Sequence, residues 1–182
     1  MEYLDIVDEN GVPTGETAER ETAHAQGIPH RTCHVWLARR HGGRVQLLLQ
    51  KRSMEKDAYP GCYDISSAGH IPAGQDWIPS ALRELKEELG VTAAPEQLIY
   101  CGQRRFAFDD VFHGRPFHDR QVSNVYLLWL DWEPEDFVLQ AEEVSEVRWF
   151  DFDDCLRILF DGTVPSCVYE EELNLLKPAL GL

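Results

Sequence analysis

Glu84, Glu87 and Glu88 crowd three carboxylates into a short part of the stretch 69–91. Crowded carboxylates can hold a divalent cation. An isolated cluster of acids is usually a solvated face, so placement decides between the two readings. At about 100° per residue the three glutamates fall within an arc of about 100° on a helix. Ile78, Leu82, Leu85 and Leu89 gather on another side, the stripe with which a helix packs on a core. Asp76 can cap the start, Pro79 is tolerated in the first turn and Gly90 suits the C-terminal stop. The stretch reads as a short, fixed helix with three like charges on one face. Mg²⁺ or Mn²⁺, which favour oxygen ligands, would relieve their repulsion.

The same stretch resembles the Nudix box, the signature of the Nudix hydrolases. Gly69, Arg83, Glu84, Leu85, Glu87, Glu88, Gly90 and Val91 fit that pattern in type and spacing, and Gln75 stands where its first glutamate should be. The resemblance implies an α/β fold, an α/β/α sandwich with a mixed β-sheet and the box helix on one face. It also implies hydrolysis of a diphosphate linkage in a nucleoside diphosphate derivative or related organic diphosphate, with Mg²⁺ or Mn²⁺ as cofactor. By that resemblance Glu84, Glu87 and Glu88 would ligate the metal together with the carbonyl of Gly69. Arg83 would orient Glu84, and Gln75 would contribute a weaker, uncharged contact. The base that deprotonates water differs among members, which leaves Glu84 or the loop residues Glu142 and Glu143. Lys51, Arg52 and Lys56 follow an apolar strand, as a solvated strand end or as contacts to a phosphate.

A second likeness concerns the flanks. His24, His30, Trp36-Leu37, Tyr59-Pro60-Gly61 and Gly69-His70 are similar in order and spacing to type 1 isopentenyl-diphosphate isomerases, which belong to the same superfamily. Where those enzymes carry a catalytic cysteine this chain has Ala68, and their Glu-x-Glu segment aligns with Asp119-Arg120-Gln121. Alanine transfers no proton and an amide is a poor acid, so the isomerase reaction is the alternative, not the leading reading. In those isomerases the histidines matching His24, His30 and His70 bind a metal. A module that senses a nucleotide diphosphate without turning it over is a further alternative, against which the complete Glu84, Glu87 and Glu88 set speaks.

The elements that would position these groups follow from pattern. Residues 3–7 and 12–15 read as a hairpin around Asn10-Gly11, and 16–25 as a helix, together an N-terminal extension (1–30) packed on one Nudix domain spanning 1–182. Strands are expected at 34–38, 45–50, 63–68, 98–108, 122–130 and 147–150, and helices at 153–160 and 170–180. Residues 109–119, with His113 and His118, read as a polar loop, and 132–140 as an acidic connection.

The formal net charge of -15 argues against a nucleic-acid backbone as partner. It does not exclude a small diphosphate, because bound metal would reverse the local sign. Five scattered cysteines without a CxxC pair suit a reducing compartment. With no secretory signal and no membrane-length apolar run, the expectation is a cytoplasmic protein, monomeric or homodimeric.

Overall fold

The computed structural model describes residues 1–112 and 114–182, so His113 lies outside the described residues. The chain opens with β1 (Tyr3–Val7) and β2 (Pro13–Glu19), an antiparallel pair forming its own two-stranded sheet. Asp8 makes the turn by accepting the N–H groups of Asn10 and Val12 at 2.8 and 2.9 Å. The return strand runs further than its sequence suggested. Thr17, Ala18 and Glu19 pair with Asp5, Leu4 and Tyr3, so the ladder captures residues that read as helix. Helix α1 therefore covers only Arg20–Gln26, and it stops at Gly27 in the left-handed conformation.

The remaining strands are β3 (His30–His41), β4 (Arg44–Arg52), β5 (Tyr63–Asp64) and β6 (Ser67–His70), then helix α2 (Trp77–Leu89). After it come β7 (Ile99–Phe112), β8 (Arg115–Trp129), β9 (Val144–Asp151), α3 (Phe152–Ile158) and α4 (Glu170–Leu180). Strands β3 to β9 make a seven-stranded sheet ordered β5-β4-β3-β8-β7, with β6 added to β3 and β9 to β4. The β3–β8 pair is parallel and the other pairs are antiparallel, so the sheet is mixed.

Strand β3 is buried along nearly its whole length, as a central strand covered on both faces must be. On one face Cys33, Val35, Leu37, Leu48, Tyr126 and Leu128 pack under Ala81, Leu85 and Leu89 of α2. On the other, Trp36, Leu47, Leu49, Val125 and Leu127 meet Cys155 and Ile158 of α3 and Leu173, Leu176 and Leu180 of α4. The architecture is the expected α/β/α sandwich with an N-terminal hairpin. Among the described residues no helix is long and apolar enough to cross a membrane.

Three expectations change in ways that matter for function. Residues 109–119 are strand at both ends, because the β7–β8 ladder continues from Ile99 opposite Leu127 out to Phe112 opposite Arg115. Cross-strand bonds hold that extension: Asp109 accepts from His118 Nδ1 and from Arg120 Nη2, each at 2.7 Å. The expected strand at 63–68 is split between β5 on β4 and β6 on β3. Ser66 makes the crossing, taking the Leu37 N–H at 2.8 Å and donating to the Leu48 carbonyl at 2.6 Å. In α2 the buried stripe is Ser80, Ala81, Leu85, Glu88 and Leu89, whereas Ile78 is exposed. Asp76 occupies the N-cap position without a side-chain capping bond, and Gly90 closes the helix as expected.

Candidate active site

A cleft of about 1300 Å³ opens where β6, α1, α2 and the β7–β8 hairpin converge. At one end Gly69 of β6 faces Glu84 of α2. A Cβ on Gly69 would lie 2.2 Å from the Glu84 carboxyl carbon, so the carboxylate takes this position only because residue 69 has no side chain. Arg83 Nη2 donates to Glu84 Oε1 at 2.5 Å and lies 3.4 Å from the His70 carbonyl oxygen, fixing the glutamate against the strand. Glu88 is buried, with Oε2 accepting from the Ala68 N–H at 3.3 Å and from Gln50 Nε2 at 3.4 Å. Burial pushes its carboxyl up to about 8 and also raises that of Glu84, where the neighbouring Arg83 opposes the rise. Glu87 is more open, with Arg83 Nε at 3.8 Å. Two desolvated carboxylates, Glu84 and Glu88, with the more open Glu87 beside them are a hard-oxygen donor set that fits Mg²⁺ or Mn²⁺.

Beside this end lies a second cluster. His24 comes from α1, His30 from the start of β3 and His70 from the end of β6, and one ring nitrogen of each lies within 4.8 Å of the others. Asp119 of β8 completes the corner, its Oδ1 lying 3.6 Å from His30 Nε2 and 3.8 Å from His24 Nε2. Burial lowers all three imidazoles, His24 to about 4, and raises Asp119 to about 6. The Ile28 carbonyl, 2.9 Å from His30 Nδ1, assigns that nitrogen the proton and leaves Nε2 a bare acceptor. His30 Nε2 and Asp119 Oδ1 are buried and have no hydrogen-bond partner among the described residues. Two facing acceptors in a nest of neutral imidazoles are the donor set of a transition-metal or Mn²⁺ site.

The remaining expected residues divide. Glu142 and Glu143 both line the cleft, and Glu143 is ion-paired with Lys56. Arg52 also lines it, with Nη1 2.9 Å from Asp64 and Nε 3.0 Å from the Ala58 carbonyl. Lys51 is not part of the cleft lining, because alternate residues of β4 point to opposite faces. Gln75 is exposed and outside the lining, and its main-chain oxygen accepts from Arg31 at 2.8 Å. Cys33 is buried, and burial pushes its thiol up to about 12, as for a packing residue.

Two further parts of the cleft were missed by pattern. Asp119 joins the histidines; its alignment with the isomerases' Glu-x-Glu segment was the available signal. Tyr169 and Glu172 also line the cleft, and nothing in their local sequence marks them; Arg104 beside them opens the segment 104–120, which the family resemblance implies as a source of pocket specificity.

The NUDIX domain family model matches residues 28–165. An uncharacterised Nudix hydrolase of Clostridium acetobutylicum is 37% identical over 158 residues, covering 87% of this chain and 74% of that protein. Nudix hydrolase 3 of Arabidopsis thaliana is 39% identical over 84% of this chain, which spans only 20% of that longer protein. A Deinococcus radiodurans crystal structure superposes with a TM-score of 0.69 at 20% identity, covering 97% of this chain and 98% of that one. The NUDIX domain of Shewanella oneidensis NrtR, crystallised with ADP ribose, superposes with a TM-score of 0.62 at 16% identity over 90% and 94% of the two chains. These two likenesses bear on the fold alone. With the family match covering most of the sequence and Gly69, Arg83, Glu84, Glu87 and Glu88 gathered at one end of the cleft, the chain belongs to the Nudix hydrolase family.

Proposed function

We propose that this protein is a divalent-metal-dependent hydrolase of a diphosphate linkage, acting on a nucleoside diphosphate derivative or a related organic diphosphate. The observation that carries the reading is the Gly69 cradle. It admits Glu84 against the strand, with Arg83 orienting the carboxylate and Glu88 desolvated beside it. When bound, Mg²⁺ or Mn²⁺ supplies charge neutralisation at the phosphate oxygens and acidifies a water. Glu84, Glu87 and Glu88 would hold that ion with the Gly69 carbonyl. Glu84, Glu142 and Glu143 are the groups that can take the proton of the attacking water. Arg52 and Lys56 line the cleft as cations for the phosphates. The ADP ribose in the Shewanella domain is a ligand of the proposed class.

His24, His30 and His70, with Asp119, would hold a second cation, a reading favoured by the facing acceptors on His30 and Asp119. The isomerase alternative is weaker, since Ala68 and Gln121 supply no acid–base pair and the relatives named above are hydrolases.

The test is a panel of nucleotide sugars, dinucleotides, nucleoside triphosphates, coenzyme A derivatives and isoprenyl diphosphates, scored for monophosphate or phosphate release with Mg²⁺ or Mn²⁺. Glu87→Gln should cut turnover of any active member by about a hundredfold or more while leaving the circular dichroism spectrum unchanged. Near-normal activity in that variant would remove the metal reading. Tight binding of one panel member without turnover would replace the enzyme by a sensor.

A further inference from the structure

Strand β7 ends the seven-stranded sheet. It pairs with β8 on one side, and among the described residues no strand lies on its other side. Nor, among those residues, does any main-chain group of β7 bond to main chain outside the β7–β8 ladder. The strand is long, Ile99–Phe112, and Arg105, Ala107, Asp109, Asp110 and Val111 are exposed. Such an edge carries a row of free N–H and C=O groups, because alternate residues turn theirs away from the ladder.

Charged side chains on an edge strand ordinarily deter pairing, since an incoming strand sets like charge against like. The order of signs on β7 does the opposite. Residues 104–110 read Arg-Arg-Phe-Ala-Phe-Asp-Asp, which is its own complement when a second copy runs antiparallel about Ala107. Arg105 then stands opposite Asp109 of the partner subunit, Arg104 opposite the partner subunit's Asp110 and Phe106 opposite the partner's Phe108. A centre moved by one residue, to 106 or 108, sets Arg105 against Ala107 or Val111 and loses both charge pairs. Parallel pairing in register sets Arg105 against its own copy.

The side chains are available for this pairing. Arg105 is 64% exposed, and its ion pair at 3.4 Å is with Glu9, itself 76% exposed. Asp109 is 59% exposed while His118 and Arg120 hold it from across the hairpin. Arg104 Nε is buried without a partner among the described residues. The rings of Phe106 and Phe108, both partly exposed along the cleft, lie 6.1 Å apart in nearly parallel planes.

We propose that the outer edge of β7 is a homodimer interface, with two copies paired antiparallel about Ala107 so that their sheets become continuous. Two Arg105–Asp109 ion pairs and two Phe106–Phe108 contacts flank the axis. A second copy, and not a foreign strand, is the occupant because the complement of the segment is the segment itself. A two-fold axis perpendicular to the sheet keeps each face on its own side, so both clefts open on the same face. The partner's Phe108 then joins Phe106 and Tyr169, whose centroids are 4.9 Å apart, in the wall of the cleft.

Sedimentation equilibrium tests the interface, in 0.15 M NaCl because each copy carries a formal charge of -15 and screening beyond about 8 Å removes the distant repulsion. One strand pair is a small contact, so loading spans about 1 to 100 μM. The wild type should be dimeric at the upper end. Arg105→Asp and Asp109→Arg each oppose like charges at both ion pairs, and each alone should weaken association by about tenfold or more. An equimolar mixture of the two variants restores opposite charges at both positions and should form a dimer containing one copy of each. A wild type that stays monomeric, variants that associate as the wild type does, or a mixture that does not associate would each overturn the interface. Asp109→Arg also removes the bonds to His118 and Arg120, so should it not fold, Ala107→Cys decides. Its Cβ atoms would lie about 5 Å apart across the axis. A short bis-maleimide should join two such chains well above the background from the native cysteines, and adding Arg105→Asp should abolish that excess. Cross-linking no greater than in the wild type would refute the pairing.

Discussion

Glu172 shows how a single side chain can organise a site without facing the reaction. Burial alone would raise its carboxyl, but His34 beside it, with the Trp36 N–H and Arg104, outweighs that and holds the group below the usual carboxylate value. Since the folded value lies below the unfolded one, the resulting stability is fully present above the ordinary carboxylate range. It is lost as pH falls through that range toward the depressed folded value. Glu172→Gln should lower the urea midpoint at pH 7, by about 3 kcal/mol in unfolding free energy, and flatten the acid limb of the stability curve. An unchanged acid limb would deny the carboxylate this role. Legibility at this scale was uneven, for a physical reason. Arg83, Glu84, Glu87 and Glu88 are legible because one helix carries them at a spacing only a common face requires. Asp119, Arg104 and Glu172 meet that site from separate strands and a distant helix, so no local pattern records their proximity. Gln75 was legible as a departure from the box, yet it is exposed and outside the cleft lining.

Among the elements, the N-terminal hairpin has a larger part than an appendage. Asp5 Oδ2 on β1 lies 2.8 Å from Arg31 Nη2 and accepts the Gly74 N–H at 2.9 Å, while the Tyr3 carbonyl takes the Ala73 N–H at 2.8 Å. Arg31 also reaches the Gln75 carbonyl and lies 5.4 Å from the Trp77 ring. The loop that leads into α2 is therefore stitched to β1 from several sides. Asp5→Ala leaves a buried guanidinium short of its anion, and should cost about 3 kcal/mol in urea unfolding. It should also weaken Mg²⁺ binding; a loss of stability alone, with unaltered metal affinity, would restrict the pair to packing. The hairpin itself was readable from Asn10-Gly11, whereas the switch from β2 to α1 was not. Residues 16–19 are acceptable helix formers, and only pairing with β1 holds them extended. The same competition hid the outer β7–β8 ladder, whose polar residues bond across strands instead of to water.

Over the whole molecule, the formal net charge of -15 surrounds a cleft meant, on the proposed function, for an anion. The cations that line it are Arg20, Arg52, Lys56, Arg104 and Arg115, and most of them face acidic neighbours. Approach of a diphosphate is thus opposed at long range and rewarded only inside. At saturating Mg²⁺, KM should fall as ionic strength rises from about 0.01 to 0.15 M, because screening removes the distant repulsion first. A rising KM would mean that the local cations already dominate at the mouth. The layered architecture was legible because strand-like and helix-like runs alternate around a recognisable box. The parallel pairing of the central strands was not, because register between distant segments leaves no periodic trace.

That pairing governs the order in which the protein can assemble. Thr32 of β3 and Ser123 of β8 are 91 residues apart yet bonded at 2.6 Å, whereas β7 and β8 pair with each other as neighbours in sequence. Closing the long loop costs chain entropy before any contact repays it, so the hairpin can form early and the central seam only late. The cleft lining that runs from His70 to Arg104 crosses that seam. Partly folded chains that lack the seam would accordingly lack any continuous surface across it. Ligand capture then becomes a property that arises in the last folding step, all at once, and not by degrees.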